Sequence, residues 1–145
     1  MRTRGSIMRK LNAAVMITPT EPQKMIWGER RVIRKDSSHE LSVLTVLPGT
    51  RCSWHRHRCK YNLFVVLSGR VDIVAEVLVP GSDKVERKTY RLIKGESLVV
   101  SPGVWHEFRG YEDAEMVEDM YVLYDADDIE REVVGGTFDL IPGAE

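Results

Sequence analysis

Two of the four histidines in this 145-residue chain are spaced to act together. His55 and His57 lie two apart in "GTRCSWHRHRCKYN", which runs from Gly49 to Asn62. On an extended strand, residues i and i+2 share a face. The two imidazoles therefore project one way, and Trp54 and Arg56 the other. Two imidazoles on one face can chelate a divalent first-row ion, and a third ligand has to come from elsewhere. His106 follows "SPGVW", a Pro-Gly turn after the apolar run "SLVV", which puts it on a neighbouring strand. His39, in the polar loop "KDSSHE", reads as surface. No Asp or Glu stands between His57 and Gly69. Asn62 stands there instead, with a carbonyl oxygen but no charge and no useful basicity. The expected set is His55, His57 and His106, all neutral, with Asn62 as a weak fourth ligand or a hydrogen-bond donor to bound water. Such a set suits zinc, iron, nickel or copper better than ions that prefer carboxylate, and it leaves coordination positions open.

Other residues crowd the same stretch. Lys60 shares the face of Asn62 and is the best polar candidate in the pocket; with Tyr61 it is a candidate acid–base group. Glu107 adjoins His106 and should face away from it. Arg56, Arg58 and Lys60 could draw an anionic substrate. Trp54 and Trp105, each next to a histidine, should point outward, into a dimer contact or over a barrel end.

The elements that must hold these residues read as strands. Short apolar or alternating runs recur at Arg30–Lys35, Glu40–Leu47, Tyr61–Leu67, Arg70–Val79, Lys84–Ile93, Glu96–Ser101 and Glu115–Asp125, punctuated by Gly, Pro and Asp. Strands of this length joined by tight turns indicate an all-β, antiparallel sandwich or small barrel. The charges on Lys84–Ile93 suit an outer strand whose edge is protected. The one helix expected is a short one over Asp125–Val134, capped by its acidic start. The expected organisation is a flexible N-terminal arm over residues 1–20 and a single domain over 21–145.

Composition sets limits on partners. Hydrophobic residues make up 43% and charged residues 30%, enough for one core. A net charge of -1 argues against a nucleic-acid backbone or an anionic membrane as a general partner. No apolar run approaches the roughly 18 residues that would span a bilayer. The patch Leu11–Ile17 is short for a signal peptide. Cys52 and Cys59 suggest no disulfide framework, so a cytoplasmic setting is expected.

The spacing now carries a resemblance. Gly49, five residues, His55, one residue, His57, four residues, Asn62, six residues and Gly69 resemble the first cupin motif, with Asn62 at its Glu position. Gly95, Pro102, Gly103 and His106 resemble the second, with a one-residue departure and Gly110 where its closing Asn would stand. The resemblance implies a jelly-roll barrel, an antiparallel double-stranded β-helix, with a metal held by His55, His57, His106 and the residue at 62. More narrowly, "WGERRVI", "SPGVWHEF" and "YDADDIER" are similar to the cupin domains of type II mannose-6-phosphate isomerases, and the Trp-Gly lead to those of D-lyxose isomerases. That likeness implies isomerisation of a sugar or sugar phosphate with zinc, nickel or manganese, Lys60 reaching the sugar. Two alternatives stand beside it. Thiol dioxygenases and some other cupin dioxygenases use three histidines without the Glu, which implies iron, and Cys59 lies close by. A cupin without catalysis would bind a small polar ligand such as a carbohydrate. A homodimer is expected in each case.

Overall fold

The computed structural model describes residues 14–123, 125, 127, 129–137 and 139. Among them are nine strands and no helix: β1 (Gln23–Met25), β2 (Gly28–Lys35), β3 (His39–Val46), β4 (Tyr61–Ser68), β5 (Arg70–Leu78), β6 (Val85–Ile93), β7 (Ser97–Val100), β8 (His106–Gly110) and β9 (Ala114–Tyr121). All pairings are antiparallel, in a six-stranded sheet ordered β1-β2-β3-β9-β4-β7 and a three-stranded sheet ordered β6-β5-β8. The all-β expectation holds, and the charged strand Lys84–Ile93 lies at a sheet edge as β6. None of the described residues forms a helix long and apolar enough to cross a membrane.

Period-two patterning makes the core. Leu44 and Val46 on β3, Phe64 and Val66 on β4, and Met116 on β9 turn inward from the large sheet. They meet Val71 and Ile73 of β5, Leu92 of β6 and Phe108 of β8, so the two sheets pack face to face as a jelly roll. Burying each such side chain contributes about 1.5–3 kcal/mol. Ser42, Asn62 and His106 are as deeply buried, so one part of the interior is polar.

Two glycines are fixed by close approach. Gly69 turns β4 into β5 at φ +72°, and a Cβ there would lie 2.2 Å from the Asp113 carbonyl oxygen. Gly110 stands where the cupin pattern closes on Asn. A Cβ at Gly110 would lie 2.4 Å from the Leu47 carbonyl oxygen and 2.7 Å from Val46 Cγ1. Restoring the motif with Gly110→Asn should therefore destabilise the protein by about 1–3 kcal/mol, the usual cost of overpacking. Urea unfolding checks this; an unchanged midpoint would contradict it.

Three local expectations are corrected. Residues 51–60 form no regular strand; His55 makes an isolated bridge to His106. The last strand ends at Tyr121, before the expected Asp125. The helix expected over Asp125–Val134 is absent from the residues described there, positions 126 and 128 lying outside them. Asp125 Oδ1 instead accepts a bond from the Asp127 N–H (2.9 Å), a local turn that competes with helix. At the other end, the Thr20 N–H donates to the Val32 carbonyl (2.8 Å), and Thr20 Oγ1 accepts from the Val32 N–H (3.1 Å), joining the chain to β2.

Candidate metal centre

The three histidines converge although two of them leave regular strand structure. The His55 N–H donates to the His106 carbonyl (3.1 Å) and the His106 N–H to the His55 carbonyl (2.8 Å), locking two ligand positions side by side. The Gly103 N–H donates to the His57 carbonyl (2.8 Å), so the Pro-Gly turn holds the third. Ring centroids lie 4.6 Å apart for His55 and His106, 5.0 Å for His55 and His57, and 5.8 Å for His57 and His106. One nitrogen from each ring lies within 4.8 Å of the others.

Hydrogen bonds set which nitrogens are free. His106 Nδ1 lies 2.8 Å from the Val104 carbonyl and His55 Nδ1 lies 2.7 Å from the Ser53 carbonyl. A carbonyl can only accept, so both Nδ1 atoms carry the proton and both Nε2 atoms keep a bare lone pair. This is the outer-shell arrangement that orients metal-binding imidazoles. His57 Nε2, His106 Nε2 and Asn62 Oδ1 are the buried side-chain polar atoms left without a partner among the described residues. Buried polar atoms are normally satisfied. Three buried polar atoms without partners, two imidazole nitrogens and an amide oxygen, fit a cation, and this donor set fits a first-row metal.

The electrostatics agree. Burial pulls the His57 imidazole down to about 4, helped by His55, His106 and Lys60. Burial likewise lowers His106. Both rings are neutral near pH 7, the form that binds metal. A histidine lowered on folding gives stability that is full above its unfolded value and lost as pH falls, here from about 6.5 to about 4 for His57. In metal-free protein, His57→Gln should flatten that decline relative to wild type. Parallel unfolding curves of the two proteins across this window would contradict it.

Asn62 is 1% exposed, and its Nδ2 donates to Glu118 Oε2 (3.2 Å). Glu118, on β9, is the functional candidate that reading the sequence missed. Burial holds its carboxyl above the usual range against the opposing pull of Arg30, the Asn62 bond, His55 and Lys60. Arg30 of β2 pairs with Glu40 of β3, and its Nε lies 3.5 Å from Ser42 Oγ. The signal for Glu118 was present in "EMVED", where Met116 and Glu118 alternate onto one face. Glu118 reaches the polar interior from β9 through Asn62 and is not one of the three clustered ligands.

The remaining candidates separate. Lys60 is exposed, just before β4, and lines a surface depression of about 130 Å³ with Lys35, Glu40 and Met120, none of the three clustered histidines among its walls. Tyr61 alternates to the opposite face from Asn62 and stacks on Tyr121 (5.4 Å), away from the polar interior. Glu107 turns away from the histidines, as expected, and binds Arg109 (2.6 Å). Trp54 and Trp105 face outward and stack on each other (6.5 Å). His39 is exposed beside Asp119 (3.3 Å). Cys52 and Cys59 are unpaired; burial pushes the Cys52 thiol up to about 12, and its sulfur accepts the Phe108 N–H (3.2 Å).

A jelly roll with histidines converging from the first and second motif segments defines the class. The family model of the cupin domain matches residues 42–118, just over half of the chain, and the chain belongs to the cupin family. The fold is similar to that of KdgF from Halomonas sp. (14% identity, 72% of this chain and 90% of that one, TM-score 0.59). It is also similar to an RmlC-like cupin from Shewanella frigidimarina (16% identity, 75% and 87%, TM-score 0.59). A conserved protein of unknown function from Streptococcus pyogenes is a third relative in fold (18% identity, 79% and 100%, TM-score 0.59). No curated protein matches the chain in sequence.

Proposed function

We propose that this cupin is a metal-dependent, isomerase-like enzyme acting on a small hydroxylated substrate such as a sugar or sugar phosphate. The observation that carries the reading is the set of buried polar atoms without partners, His57 Nε2, His106 Nε2 and Asn62 Oδ1, with the Glu118 carboxyl hydrogen-bonded to Asn62. His55, His57 and His106 would hold the ion, with zinc, nickel or manganese the expected choice; when bound it would polarise a substrate carbonyl. Glu118 takes the proton-moving role expected of Lys60 and Tyr61, since it faces the interior beside Asn62 while Lys60 is exposed and Tyr61 lies on the opposite face. In its ionised form a carboxylate of raised pKa can take the proton from the carbon beside a carbonyl and return it to the former carbonyl carbon, while the proton of the neighbouring hydroxyl passes to the carbonyl oxygen. Lys60 steers and contacts polar substrate at the entrance.

The test is metal analysis of the purified full chain, followed by aldose-to-ketose conversion assays on free and phosphorylated sugars. Bound zinc, nickel or manganese with turnover supports the reading. One feature favours a second reading: among the described residues no carboxylate joins the three-histidine cluster. Bound iron with substrate-dependent oxygen uptake would therefore replace the isomerase with a three-histidine dioxygenase. Metal-free protein that still binds carbohydrate would leave a binding module.

The proposal includes a homodimer in a reducing cytoplasm. The free thiols of Cys52 and Cys59 suit that compartment. Val43, Val117 and Val65 form an apolar row across β3, β9 and β4 on the face opposite the core, flanked by Leu41 and Leu63. A second copy would cover that row. Val117→Lys should convert a dimer to monomer in analytical ultracentrifugation; a dimer undisturbed by the lysine would place the contact elsewhere.

A further inference from the structure

The outer face of the small sheet carries a feature that the barrel interior does not explain. Arg51, Arg87 and Arg109 surround a depression of about 330 Å³ floored by Ser53, Trp54 and Glu107. We propose that this depression is a binding site for a phosphate dianion, separate from the metal centre.

Three arrangements support it. Glu107 is 3% exposed, and its Oε1 is engaged by Arg109 Nε (3.0 Å) and Nη2 (2.6 Å). The acid is thus sunk beneath the face, where it fixes the Arg109 fork; Tyr111 also engages Arg109, and the N–H groups left over face the depression. Arg87 sits opposite Glu76 across the β5–β6 pair, yet its guanidinium lies over the Trp54 ring at 4.5 Å. Trp54 is backed by Trp105, and Trp105 by Arg56 at 4.9 Å. This stack holds Arg87 at the rim before any ligand arrives, a cation–π placement that lowers the ordering cost of binding. Arg51 bridges Arg109 across the strands and is exposed, and neither Arg51 nor Arg87 forms an ion pair among the described residues. Planar forks on three sides match tetrahedral phosphate oxygens in a way that dispersed ammonium groups do not. Arg87 already lies over the Trp54 ring, so the ligand is recognised by its anionic group and not by ring stacking.

The experiment is a titration of the full chain with inorganic phosphate at fixed ionic strength, read from the Trp54 and Trp105 indole N–H resonances. A phosphate monoester is titrated in parallel, to separate free phosphate from an esterified source. Saturable shifts are expected with at least one of the two. In Arg51→Met with Arg87→Met, which keeps the packing of the stems, the dissociation constant should rise at least about tenfold with an unchanged spectrum elsewhere. Shifts that are absent, that track ionic strength alone, or that persist at wild-type affinity in the double variant would each overturn the site. The same variant should retain its metal content, so a failure here is distinguishable from a failure of the metal centre.

Discussion

His106→Ala should abolish high-affinity metal binding. His106 is 2% exposed, contributes one of the orphaned Nε2 atoms and exchanges backbone bonds with His55. Losing an outer-shell partner typically weakens a metal site 10–100-fold; losing a ligand from a set of three should cost more than about 100-fold. The bonds between His55 and His106 run through the backbone, so alanine keeps them and the barrel should still fold. A competition titration with a chromophoric chelator measures the loss, with circular dichroism as the folding control. A folded variant that binds metal like wild type would remove His106 from the site.

Glu118→Gln should uncouple chemistry from metal binding. Glutamine keeps an oxygen that can accept the Asn62 Nδ2 bond but cannot take up a proton. If the carboxyl moves a proton, kcat for sugar isomerisation should fall by about 10²–10⁴ while metal content stays the same. A loss of metal together with activity would instead make Glu118 a ligand or a support for Asn62. Undiminished kcat in metal-loaded protein would return the proton-moving role to another group, Lys60 being next in line.

The contrast between Glu118 and Lys60 shows how far the sequence could be read. The apolar runs "YNLFVVL" and "ELSVLTVL" marked β4 and β3, and turn glycines bounded the strands, because hydrophobic patterning and turn residues are written locally. The three histidines were legible for a related reason: their spacing matched a pattern with fixed chemistry. The means of their convergence was not legible. It depends on the His55–His106 bridge and the Gly103–His57 bond, contacts between segments about fifty residues apart. Glu118 was hidden by the same distance, since its partner Asn62 is 56 residues away. Lys60 looked internal because it is two before Asn62, but β4 begins at Tyr61 and strand alternation does not extend back to it. Gly110 read as a defect in the motif, and only the approach of Leu47 shows that no side chain fits there.

The account rests on a metal ion held by three imidazoles, and X-ray absorption at the zinc edge of zinc-loaded full-length protein tests that most directly. The predicted result is one zinc per chain, with light scatterers at about 2.0–2.1 Å that include three imidazoles. Sulfur scatterers at about 2.3 Å, or a spectrum fitted by fewer than three imidazoles, would contradict it.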